Sequence, residues 1–236
     1  MAIEVLSTIK TVSNLPLVKI NRENYLIKEF STDYSHIMDD ILEKGPFNAG
    51  VPIEIIEKKA KAAINFEKNQ ATAISFALGL PGGFAMIGTI PADITQFMGN
   101  SLRIVQKLAY LSGMPGFSSV DDMTDDEANM VLIYLGVMFG EAQAVLALDL
   151  IAKHMAGVAL KKIPATALTK VVGYTTIKSL LKAVGVKLTK KKLANFFSKS
   201  IPIASSFISG GLTFVTLKKM SYRLYEKLTE VRFKNN

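Results

Sequence analysis

Asp93, Gln96, Asn100, Arg103 and Lys107 follow one another at steps of three and four residues. On a helix turning 100° per residue, they fall within about 80° of one another and form one polar stripe. Ile94, Phe97, Met98, Leu102, Val105, Leu108 and Ala109 take the opposite side. An amphipathic helix with a solvated polar face accounts for this without any function. The functional alternative is that the stripe lines a cleft and binds a headgroup, a peptide or an ion.

Glu141 is the second candidate. A helix is expected from Thr124 to about Met155, and Tyr134, Val137, Met138, Val145 and Leu148 share the face of Glu141 on it. A carboxylate buried among such residues must be paired, hydrogen-bonded or neutralised. Arg103 is the expected partner, being the only arginine between Arg22 and Arg223. The pair is then either structural or part of an ion or proton site.

Cysteine is absent, which removes disulfides, thiolate nucleophiles and cysteine-based zinc or iron–sulfur sites. His36 with Asp39 and Asp40, and Asp149 with His154, lack a second ligand cluster, so neither a metal nor another cofactor is expected. The chain holds no GxSxG, phosphate loop, HExxH or dinucleotide fingerprint. A metal-assisted hydrolase built on Asp93, Gln96, Arg103 and Glu141 is the enzymatic alternative, with no motif behind it.

The charge distribution points elsewhere. Hydrophobic residues make up 49% of the chain against 20% charged, and the mean hydropathy is +0.28. Residues 1–149 hold 11 Lys+Arg and 18 Asp+Glu, a net −7, whereas residues 150–225 hold 13 Lys and one Arg with no acid, a net +14. Such a stretch calls for an anionic partner, or else for docking on the acidic half of the same molecule. Within it, Lys190, Lys191 and Lys192 sit beside Leu193, Phe196 and Phe197. Lysines next to bulky apolar residues suit an interfacial helix on anionic lipid. Nucleic acid is not expected, because arginine is nearly absent from the stretch and no nucleic-acid module is recognisable.

Positioning these groups falls to helices. Apolar periodicity reads as helix throughout, with no run of alternation bounded by hairpin turns, so the fold class is all-α. An N-terminal region ends at Gly45-Pro46, and Pro52 opens a helix toward Gly79. Pro91 opens the helix of the polar stripe, which runs to Leu111 with Asp93 at its dipole-favoured third position. Thr124 and Glu127 have the spacing of a capping box. Further helices are expected over 166–184 and 189–199, and a last one from Pro202 toward Glu230, with a break at Gly210-Gly211.

Residues 71–92 and 200–217 carry no charge. LPGG cuts the first into two pieces too short to span a bilayer, which needs about 20 apolar residues. It therefore reads as a Gly/Pro-broken apolar helical hairpin, buried in protein or dipped into one leaflet. Glycines 79, 82, 83 and 88, with the small residues of 205–211, would allow the two segments to approach closely. The first residues lack a basic start followed by a sustained apolar run, so no secretory signal is expected.

The block LPGGFAMIGTIPADITQFMGNSLRIVQKLAYLSG (80–113), with DDEANMVLIYLGVMFG (125–140) and the late IPIASSFISGGLTFVT (201–216), resembles the EcsC family of bacterial proteins. The likeness covers about 18–225, leaving an N-terminal extension of about 1–17 before a single EcsC-like domain. Where members often carry Asn-Tyr after the late glycines, this chain has Leu212, Thr213 and Phe214, so no role for that amide carries over. The founding member of the family is encoded beside an ABC transporter implicated in secretion. The resemblance implies a compact multi-helix bundle with a membrane-linked accessory role, and it supplies no catalytic mechanism. The expected protein is cytoplasmic and peripherally associated with the inner face of the membrane. Its partners are an anionic lipid surface and a membrane transporter. A helical carrier of a lipid or other apolar ligand is the remaining alternative.

Overall fold

The computed structural model describes residues 9–13, 18–77, 92–114, 124–155 and 209–234. All regular structure among them is helical, as the periodicity predicts. Helix α1, Arg22–Tyr34, is started by Asn21, whose side chain accepts the amide of Asn24 at 2.8 Å and so satisfies one of the open donors of the first turn. A single 3₁₀ turn, Ser35–Ile37, leads into α2, Met38–Lys44. Gly45 stops α2 at φ 82°, a conformation that costs glycine nothing and most residues a good deal. Arg22 ties this unit together by donating to the carbonyl of Leu42 at 2.8 Å.

Helix α3, Ile53–Ala77, starts one residue after Pro52, whose carbonyl accepts the amides of Ile55 and Ile56. Its inner stripe is Ile56, Ala60, Ala63 and Ile64, all buried. Helix α4, Ala92–Leu111, packs against α1, α3, α5 and the last helix, α7 (Ser209–Thr229). It lies at the centre of the molecule. Phe97, Met98, Leu102, Val105, Leu108 and Ala109 on its expected apolar side are buried, and so are Asn100 and Lys107 on the polar side.

The capping box of α5, Asp125–Phe139, forms as its spacing predicts: Thr124 Oγ1 accepts the amide of Glu127, and the Glu127 carboxylate accepts the amide of Thr124 at 2.8 Å. Met130 to Leu135, Val137 and Met138 are all buried, as befits a helix apolar nearly all round.

The single helix expected from Thr124 to Met155 is two helices. Gly140, at φ 80°, ends α5; its amide bonds to the carbonyl of Val137, and the Glu141 amide reaches back to Gly136 at 2.8 Å. This doubled closure in a left-handed residue is a Schellman ending. Arg223 adds to it by donating to the carbonyl of Met138 at 2.7 Å. Helix α6, Ala142–Met155, then begins afresh, with the Glu141 carbonyl accepting its first amides.

Helix α7 has Gly210 and Gly211 in its first turn and ends in a π turn, Glu230–Lys234; the expected start at Pro202 lies outside the described residues. α7 packs on α3, α4 and α5, while the π turn meets α6. Lys227 fastens this end by bridging Asp149 at 2.7 Å and Glu230 at 3.1 Å. Among the described residues, no helix is long and apolar enough to cross a membrane. Of the expected broken hairpin over 71–92, residues 71–77 belong to α3 and residue 92 to α4, while 78–91 lie outside the described residues, as do the expected helices over 166–184 and 189–199.

Candidate functional site

The polar stripe of α4 meets a carboxylate on α3. Arg103 grips Glu67 with two hydrogen bonds, Nε to Oε2 at 2.8 Å and Nη2 to Oε1 at 3.0 Å, and Lys107 Nζ reaches Oε1 at 2.6 Å. The Glu67 side chain is completely buried. A planar guanidinium matched to a carboxylate in this forked way is the geometry that best repays the desolvation of the two charges. Glu67 thus serves two cations at once. Lys107 also lies over two aromatic faces, with Nζ 4.6 Å from the centre of the Phe66 ring and 5.6 Å from that of Tyr25.

This arrangement corrects the expected Arg103–Glu141 pair. The left-handed turn at Gly140 lifts Glu141 out of a continuous apolar helix and sets it at the start of α6, where it is only half-buried. Arg103 instead faces α3, where Glu67 lies within reach. Of the remaining stripe, Asn100 is buried. Asp93 is the second residue of α4 and Gln96 the fifth, and their side chains lie outside the described residues. Arg103 and Lys107 lie in the seam between α4 and α3, and Asn100 is buried on the same stripe.

Glu67 was not singled out from the sequence, although a signal was there. It continues the stripe Ile56–Ala60–Ala63–Ile64 at the next helical step, so its carboxylate had to be buried with that stripe.

The other side of α4 holds the N-terminal strap. Gln106 Oε1 accepts the amide of Ile20 at 2.9 Å, while its Nε2 donates to the carbonyls of Val18 at 2.9 Å and Leu102 at 3.0 Å. Tyr110 adds a bond from its hydroxyl to the Ile20 carbonyl at 3.0 Å. Tyr25, packed on Tyr110, keeps a buried hydroxyl with no hydrogen-bond partner. Burial first, and then the nearby carboxylates of Glu29 and Glu67, push the Tyr25 hydroxyl well above its ordinary pKa, so it stays neutral. At the opposite end, Arg232 donates to the carbonyl of Ser112 at 3.2 Å; burial lowers its pKa and the neighbouring Tyr134 raises it.

His36 is exposed on the 3₁₀ turn, and Asp40 is bridged to Lys44 at 2.7 Å. Among the described residues, no three His, Asp or Glu side chains gather as a metal site would require. The lysines of the basic stretch whose side chains are described, Lys153, Lys218 and Lys219, are all exposed. Lys190, Lys191, Lys192, Phe196 and Phe197 lie outside the described residues.

No protein-family model, curated protein or solved structure matches this chain.

Proposed function

We propose that this chain is a membrane-associated accessory protein of EcsC type, binding the cytoplasmic membrane surface through its basic C-terminal half and assisting a transport or secretion system. One observation carries the lipid reading: residues 150–225 combine a net +14 with no acid at all. Four acids of the N-terminal half are engaged within that half. Glu29 pairs with Lys59, Asp40 with Lys44, Glu57 with Lys61, and Glu67 with Arg103 and Lys107. Asp149, at the end of that half, pairs instead with Lys227, just beyond the acid-free stretch.

Lysine suits lipid headgroups as a mobile point charge on a long apolar stem, which lies along the interface while the ammonium stays hydrated. The transport role rests on the resemblance of residues 80–113, 125–140 and 201–216 to the family. Of the hydrolase constellation Asp93, Gln96, Arg103 and Glu141, Arg103 is engaged by Glu67, and no motif stands behind the rest.

The experiment is partitioning of the purified protein onto phosphatidylglycerol vesicles. Replacing Lys190, Lys191 and Lys192 by Gln should lower the partition coefficient by about two orders of magnitude, at about 1 kcal/mol per lysine near the surface. An unchanged coefficient would remove this segment from the contact.

A further inference from the structure

Helix α7 carries an exposed strip. Val215 is 61% exposed, Lys218 and Lys219 are exposed, and Tyr222 is half-buried, with Lys218 Nζ 5.9 Å from the centre of its ring. At steps of three and four residues these side chains lie on one strip, opposite the buried Leu217, Met220, Ser221 and Leu224. Val215 is the most exposed large hydrophobic side chain among the described residues. An apolar side chain, two lysines and a tyrosine with one wet edge are the parts of an interfacial membrane contact: the apolar group enters, the ring sits at headgroup depth, and the ammonium groups stay in the headgroup layer.

From this strip we infer that the N-terminal half of the described α7 face, Val215 to Tyr222, is itself a lipid-contacting element that rests on an anionic bilayer and inserts Val215. The inference rests on the proposed membrane reading and adds to it a defined surface and a direction. Charge supplies the occupant, because the strip lies in the acid-free stretch and offers two exposed cations to anionic headgroups. Charge also sets the limit. Glu226 and Glu230 are exposed one and two turns further on, and their carboxylates repel the same headgroups, so the contact ends before them and α7 meets the surface by its earlier turns.

The chain has no tryptophan, so Val215→Trp provides a single fluorescent reporter at an exposed position, and Ile27→Trp, on the exposed side of α1, provides its control. On phosphatidylglycerol vesicles the Val215→Trp emission should move to shorter wavelength, while that of Ile27→Trp stays where it is. Lys218→Gln with Lys219→Gln should lower partitioning about 30-fold, the equivalent of about 1 kcal/mol for each lysine. Both variants alter exposed side chains, and an unchanged thermal unfolding curve verifies their folding.

If the wild-type protein binds the vesicles but Val215→Trp does not shift, or the double Gln variant binds as wild type, the α7 inference is overturned and the membrane reading stands. If the wild-type protein binds no vesicle, both fall. A shift of Val215→Trp on single-stranded RNA without one on vesicles would also overturn the inference, assigning the strip to nucleic acid.

Discussion

Glu67→Leu is expected to destabilise the fold by about 3–5 kcal/mol, because it strands Arg103 and Lys107 in a mostly buried seam with one partner removed from both. Arg103→Met should cost less than that, since Lys107 still holds Oε1 of Glu67 at 2.6 Å. The double variant Glu67→Leu/Arg103→Met removes the fork as a unit, and the two losses should fail to add by about 0.5–3 kcal/mol in a urea-unfolding cycle. Additive losses at Glu67 and Arg103 would show that the seam is not held as described.

The second large effect is at Gln106. Its amide closes three hydrogen bonds at once, two of them to the strap at Val18 and Ile20, which are distant in sequence. Gln106→Leu keeps the approximate volume but leaves the Val18 carbonyl and the Ile20 amide without their partner. At about 1–3 kcal/mol for each buried polar group left unsatisfied, the loss should be about 2–5 kcal/mol. Amide hydrogen exchange gives a second readout: the Ile20 amide should lose protection in Gln106→Leu well before the amides of α5 do. Equal protection at Ile20 in wild type and variant would mean that the strap is held by packing alone.

These two sites show where the sequence was and was not legible. The α4 stripe was visible from spacing alone, and Arg103 was read as one half of a buried ion pair. The partner was misjudged for a physical reason. Glu141 looked buried only if the helix ran unbroken past Gly140, and hydrophobic periodicity cannot distinguish a continuous apolar helix from two joined by a left-handed glycine. The Arg223 contact that supports this break comes from 85 residues away, beyond any local pattern. Glu67, in contrast, could have been found on the apolar stripe of α3. The strap bonds of Gln106 could not, because a glutamine on a helix gives no sign of which backbone it will meet.

Capping signals were the most dependable. The Thr124–Glu127 box and the glycine stop after Lys44 depend on groups within a few residues of one another, so the sequence contains the whole interaction.

The membrane proposal depends on a charge pattern that needs no structure to be seen, and its test can be equally direct. Flotation of the wild-type protein with phosphatidylglycerol vesicles and with phosphatidylcholine vesicles, each in rising salt, separates electrostatic attraction from simple apolar adsorption. The account predicts strong flotation on the anionic vesicles at low salt and release as the screening length falls toward about 3 Å near 1 M salt, with little flotation on the neutral ones. Equal flotation on both kinds of vesicle, unchanged by salt, would contradict it.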